Sequence, residues 1–231
     1  MRYAVLGTGG VGRAVAAKLA SLGHEVVVGT RDPERTLART DTDRVGNPPF
    51  AVWQREHDTV RLATFAEAVE GADAVVNATS GGTSLDALTA AGAGHLVGKL
   101  LIDIANPLEF STGTPALDPV NTDSLAEQIQ RAFPEAKVVK TLNTMNADVM
   151  VEPSLVPGPH DVFVSGDDAA AKQAVTDLLV SFGWPRESVL DLGDITSARG
   201  AEMLVAVWLR LYGALGHATF NFHVAGARRT G

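Results

Sequence analysis

Apolar positions come in short runs, and between the runs they recur every three or four residues. Residues 2–6 form an apolar run that stops at a glycine cluster and predict a buried strand. Val11, Val15, Leu19 and Leu22 then fall on one helical face over 10–22, and Gly23 closes that helix. Residues 25–28 are β-branched and predict a second strand, after which Asp32-Pro33-Glu34 has the form of a helix start. Residues 40–58 break the rhythm, and Gly46-Asn47-Pro48-Pro49 marks the break as an inserted loop. Further strands are predicted at 60–62, 72–78, 99–104, 137–142, 162–165 and 189–192. Helices are predicted at 65–69, 84–91, 123–133, 169–182 and from Thr196 onward, and 111–121 reads as turns.

Strands alternating with helices predict an α/β fold: a Rossmann-type, doubly wound, mainly parallel sheet with a small C-terminal helical or α+β extension. Prolines and a glycine at 153–159 place a soft boundary there. The expected division is a Rossmann domain over 1–152 and a smaller domain over 153–231 that closes a cleft against it.

Composition removes several classes of function. The 231 residues contain no cysteine, which excludes disulfides, a cysteine nucleophile and thiolate metal sites. The net charge of -8 disfavours nucleic acid and anionic membranes as partners. No apolar run approaches the roughly 20 residues of a membrane span, so a cytoplasmic location is expected.

Gly7-Thr8-Gly9-Gly10-Val11-Gly12 has the spacing G-x-G-x-x-G between a strand and a helix, the context of a dinucleotide fingerprint. Gly7 allows the tight turn, Gly9 the approach of pyrophosphate and Gly12 close packing of helix on strand. An NAD site would carry an acid at the second strand's tip. Thr30 and Arg31 stand there instead, with Arg35 one turn on, which favours the 2′-phosphate of NADP(H). Asp32 reads as the cap of the following helix.

Ligands of open α/β sheets bind beyond the strands' carboxyl ends. The tips here are 77–82, 103–106 and 141–146, rich in amides and hydroxyls that suit either a nicotinamide or ordinary turns. Asp103 ends an apolar strand, as a proton acceptor or, preferably, as a holder of loop N–H groups. The six histidines have no zinc spacing and no metal is expected. Ser80 lies in no nucleophile elbow. No lysine follows Lys172, so the catalytic lysine of the Rossmann β-hydroxyacid dehydrogenases has no carrier.

Taken in order, GTGGVG, VVVGTRDPE, VVKTLNTMNADVMVEP, VFVSGDD and LDLGDITSARGAEML resemble the deazaflavin (F-420):NADPH oxidoreductases over almost the whole chain. The resemblance implies hydride transfer between NADP(H) and the deazaflavin coenzyme F-420. It implies that Thr8, Thr30, Arg31 and Arg35 hold the 2′-phosphate end and that Gly9, Gly10, Val11 and Gly12 hold the pyrophosphate. It implies that Ala78, Thr79 and Ser80, with Asn143 and Ala147, flank the nicotinamide. Archaeal members carry a histidine where Asn143 stands. A related branch with the KxxNT pattern reduces flavin or metal. With two hydride carriers bound, no side chain need be the nucleophile or base, and the catalytic residue stays open.

From Thr196 the chain opens on Thr-Ser as capping residues. Met203, Leu204, Val207, Trp208, Leu211 and Leu215 then form one apolar stripe, while Glu202, Arg210 and His217 exclude a membrane span. The stripe packs on its own domain or joins two subunits, and the family resemblance implies a homodimer. Phe220 and Phe222 suit a pocket, an interface or the core. Two other functions stay open: an NADPH-dependent reductase of flavin, ferric or another small acceptor, and a non-catalytic NADP-sensing module.

Overall fold

Strand β1 (Arg2–Leu6) is buried from Tyr3 onward, as a central parallel strand covered on both faces must be. The structure is a computed structural model and describes residues 1–43, 46–111 and 113–226. From β1 the chain runs through α1 (Gly10–Ser21), β2 (Glu25–Thr30), α2 (Pro33–Leu37), α3 (Phe50–Glu56), β3 (Arg61–Thr64), α4 (Phe65–Val69) and β4 (Ala74–Asn77). It continues through α5 (Gly81–Ala91), α6 (Ala93–Leu96), β5 (Leu100–Asp103), β6 (Leu108–Glu109), β7 (Ala116–Leu117), α7 (Leu125–Ala132) and β8 (Lys137–Thr141). The last elements are α8 (Ala147–Val151), β9 (Val162–Ser165), α9 (Ala169–Phe182), β10 (Val189–Asp191) and α10 (Ala198–Leu215).

Eight strands form one sheet in the order β10-β9-β8-β5-β4-β1-β2-β3. All pairs are parallel except β8 with β9. The order reverses between β1 and β4, and the crevice beyond that switch point is where such sheets bind ligands. Alternate residues of each strand feed two cores. Tyr3 and Val5 join Val15, Leu19, Val149, Leu179 and Trp184 on one face. Ala4 and Leu6 join Val27, Leu88, Leu101 and Ile129 on the other.

The chain beyond residue 153 returns to the same sheet, adding β9 and β10 at its edge. The insertion is not all loop. Helix α3 forms within it because Phe50 is buried in the first core, with Trp53 packed beside it. The turn-rich stretch contains a small antiparallel hairpin, β6 with β7, in the register Leu108↔Leu117. The expected Thr-Ser cap of α10 does not form. Asp194 takes the Thr196 N–H at 3.0 Å, and α10 starts at Ala198 with no side-chain cap. Among the described residues no helix is long and apolar enough to cross a membrane.

Candidate dinucleotide and acceptor site

The turn between β1 and α1 fits only glycine at two positions. Gly7 has φ +121°, and a Cβ there would lie 2.4 Å from the carbonyl oxygen of Ala78. A Cβ on Gly12 would lie 2.2 Å from the Gly7 carbonyl, so α1 could not sit so close to the strand. At Gly9 a Cβ would meet nothing within 4 Å. That open face is the place where a pyrophosphate can approach. Gly9 is also the N-cap of α1 and offers no side-chain acceptor, and no acid stands in the first turn. The N–H groups that open α1 therefore keep their capacity for an anion.

At the tip of β2, Thr36 Oγ1 donates to the Asp32 carbonyl at 2.8 Å and lies 3.0 Å from Thr30 Oγ1. With the Thr36 proton spent on Asp32, Thr30 is the donor in the second contact. Arg31 and Arg35 are both exposed. Asp32 caps α2, its carboxylate accepting the Arg35 N–H at 2.9 Å, as its place before Pro33 predicts. The insertion is tied across the phosphate loop by Arg13. Its Nε donates to the Thr8 carbonyl at 2.8 Å, its Nη1 donates to the Pro48 carbonyl, and its guanidinium lies 5.5 Å from the Phe50 ring centroid.

On the other side of the switch point, the tips of β4 and β5 and the start of α8 enclose a cavity of about 330 Å³. Its apolar walls include Val11, Ile104, Met145 and Met150, and its polar groups come from Thr79, Ser80 and Asn106. Among the described residues no titratable side chain lines it. Ser80 is the exposed N-cap of α5, makes no side-chain cap and has no acid in the turn that follows. Uncapped starts of two helices, α1 and α5, thus converge on one crevice.

Behind this wall lies a buried polar chain. Thr79 Oγ1 donates to Asn77 Oδ1 at 2.7 Å, and Asn77 Nδ2 donates to Asp103 at 2.8 Å. Lys140 Nζ lies 2.8 Å from Asp103 and 2.8 Å from Glu202, and also donates to the Ala105 carbonyl. Glu202 accepts the N–H groups of Leu125 and Ala126 at the start of α7. Burial alone would push the Lys140 ammonium down, but the two carboxylates hold it above its ordinary value. Asp103 is therefore an ion-pair partner as well as a holder of the Ala105 N–H at 3.3 Å. Lys140 and Glu202 had a visible signal in the sequence, each being a charge inside an apolar run. Neither carries a role among the expectations drawn from the sequence.

Ala78, Thr79 and Ser80 border the cleft. Asn143 stands behind Asn106. It donates to Asn106 Oδ1 and to the Ala201 carbonyl, both at 3.0 Å, while Asn106 donates back to the Asn143 carbonyl at 2.8 Å. Leu142 causes the turn, holding φ +60° at the end of β8, which sends Met145 rather than Asn143 to the cleft. Ala147 opens α8 half-buried, between the two cleft methionines. His160 is held within the fold. His160 is bonded by Pro153 and Asn221, and no group of three metal-ligating side chains occurs among the described residues. Phe220 stacks on Trp208 at 5.4 Å between ring centroids.

Comparison with known proteins gives a consistent set of relatives. Residues 2–107 match the family model described as NADP oxidoreductase, coenzyme F420-dependent. A crystal structure from Arthrobacter sp. FB24, assigned as an F420-dependent NADP-reductase, is 63% identical over 97% of this chain and 99% of that one, with a TM-score of 0.92. The F420-dependent NADP reductase of Methanothermobacter marburgensis is 26% identical over 91% of this chain and 92% of its own length. The metalloreductase STEAP3 of Rattus norvegicus is 30% identical over 91% of this chain, which spans only 37% of that relative's length.

Proposed function

The chain belongs to the family of coenzyme F420-dependent NADP oxidoreductases, and on that premise we propose that it transfers a hydride between NADP(H) and the deazaflavin coenzyme F420. The observation that carries the reading is a cleft joined to the dinucleotide loop and lined, among the described residues, by no titratable side chain. Reducing a carbonyl would require a placed proton donor, whereas exchange between two rings requires only alignment and exclusion of water. The coenzymes supply the redox chemistry when bound, a hydride leaving one ring carbon and joining another.

The chain's own residues bind and orient. The open face of Gly9 and the N–H groups from Gly10 to Gly12 receive the pyrophosphate, and Thr8 belongs with the 2′-phosphate end. Arg31 and Arg35 receive the 2′-phosphate, and Thr30 shapes that end with its proton committed to Thr36. Ser80 and Asn106 offer hydrogen bonds to the carboxamide side of the cleft. Asn143 and Ala147 act from behind, holding Asn106 and the methionine wall. Val11, Ile104, Met145 and Met150 exclude water.

The 30% identity to a metalloreductase supports a second reading, in which flavin or a ferric chelate takes the hydride or electrons. An acceptor panel with NADPH separates the two readings. Consumption of NADPH with F420 but not with FMN or ferric citrate fits the first. Turnover with FMN and none with F420 replaces it with the second. Residues 153–231 are proposed to complete the cleft, a reading supported by the Ala201 carbonyl on Asn143. A homodimer through α10 is proposed because Met203, Val207 and Leu215 on its outer face are 38–50% exposed.

A further inference from the structure

Beyond the NADP(H) end, the mouth of the cleft carries an exposed aromatic side chain. Phe110 borders the cavity and is 58% exposed. It sits where β6 leaves the cleft wall, next to Leu108, which lines the same cavity. What sets this ring apart from the other exposed apolar side chains is its place on the border of the cleft cavity, where a bound ring would cover it.

The turn that presents Phe110 is braced. The Glu109 carboxylate accepts both the Ser111 N–H and the Ser111 hydroxyl, and these bonds hold its pKa below the ordinary carboxylate value. The Gly113 N–H closes on the Phe110 carbonyl at 3.1 Å. The hairpin is anchored at its base by the Asp118 N–H on the Pro107 carbonyl at 2.9 Å, with β6 beside α5 and β7 beside α10. The ring therefore stands at the mouth of the cavity beside a hairpin tied at its base.

Size and chemistry then choose the occupant. About 330 Å³ lies near the lower end of small-molecule cavities, room for one ring with its attached sugar. A second planar ring, brought to about 3–3.5 Å from the first for hydride transfer, must lie toward the mouth. Its far face then meets the Phe110 side. Leu108 and Phe110 give that border two apolar side chains, suited to the face of a planar tricycle.

We propose that Phe110 is the aromatic platform for the outer ring, a planar tricycle of the deazaflavin or isoalloxazine class. This rests on the reading of the cleft as a nicotinamide site. Being so exposed, the side chain can be changed without disturbing the core.

The test uses the full chain with a fluorescent reporter, Phe110→Trp, read above the background of the three native tryptophans. With NADP+ present, riboflavin should quench the added emission in a saturable way, and 2′,5′-ADP should leave it unchanged. Phe110→Ala should raise the KM for the planar acceptor about tenfold, hold the Kd for NADPH within about twofold, and be rescued by Phe110→Tyr. An added emission that ignores riboflavin, or a Phe110→Ala loss that falls equally on NADPH, overturns the platform. If the wild-type chain fails to bind NADPH, the NADP(H) reading fails, and the platform with it.

Discussion

Lys140 Nζ lies 2.8 Å from Asp103 Oδ2, and neither side chain has any exposed surface. Two neighbouring strands thus share a buried ion pair directly below the cleft wall. Glu202, 2.8 Å from the same ammonium, extends the pair to α10 and to the start of α7. The two carboxylates exceed the one ammonium, and the N–H groups of Leu125 and Ala126 offset the excess. Lys140→Met would leave two carboxylates facing each other without a cation. It should cost about 3–5 kcal/mol in urea unfolding. Adding Glu202→Gln to that variant removes one stranded charge, so the double variant should be no less stable than the single one. A double variant clearly less stable than Lys140→Met would show that the carboxylates are not in conflict there.

The other grip of α10 on α7 titrates at acid pH. Arg199 donates to both carboxylate oxygens of Glu127, and Ser124 Oγ donates to Glu127 at 2.8 Å. The Arg199 hydrogen bonds, against an opposing effect of burial, hold the Glu127 carboxyl below its ordinary value of 4.5. A depressed folded value means stability that is fully present above pH 4.5 and is lost as pH falls through the folded value. Thermal unfolding at stepped pH should show this acid limb in the wild type. Glu127→Gln should be less stable at neutral pH, with a shallower acid limb. An unchanged slope would remove Glu127 from the acid response.

Much of this was legible in the sequence because parallel strands are apolar throughout and end on distinctive residues. The run before Gly7, the cap at Asp32 and the amphipathic segment before Phe133 all correspond to observed elements. What escaped depends on contacts between distant segments. Asn143 belongs with the strand tips by sequence, and only the left-handed backbone of Leu142 takes it behind Asn106. The short hairpin at 108–117 carries no strand periodicity of its own. The apolar stripe of α10 does not settle in the core as a single face. Ala201 and Val205 are buried beside Glu202, while Met203 and Val207 face outward.

Cofactor choice should rest on Arg31 and Arg35 more than on Thr30. Both arginines are exposed, whereas the Thr30 hydroxyl is buried and donates to Thr36. Arg31→Ala should weaken NADPH binding by roughly 1.5–3 kcal/mol and leave NADH binding nearly unchanged. Thr30→Val should lower the melting temperature while keeping the ratio of the two affinities. Calorimetric titration with both nucleotides decides, and an equal loss for both in Arg31→Ala would show that it does not read the 2′-phosphate.

Two glycines of one loop should separate folding from binding. A methyl on Gly12 would press to 2.2 Å of the Gly7 carbonyl, while one on Gly9 would enter open space. Gly12→Ala should therefore lower both the melting temperature and NADPH affinity. Gly9→Ala should melt like the wild type and still bind NADPH at least about tenfold more weakly, because its methyl occupies the approach to the pyrophosphate. A Gly9→Ala variant with undiminished affinity would move the pyrophosphate away from this loop.

The outer face of α10 offers a test of assembly. Val207 is 49% exposed and Leu215 50%, about two turns apart on the outer side of the helix. Water contact with that much aliphatic surface is unfavourable, and a second copy of the same helix would remove it from both chains at once. Val207→Glu would place a carboxylate in the middle of such a contact without touching the sheet. Light scattering behind size exclusion should then report a dimer for the wild type and a monomer for the variant, with equal melting temperatures at high dilution. A wild-type monomer would refute the dimer. A variant that stays dimeric would place the interface on another surface.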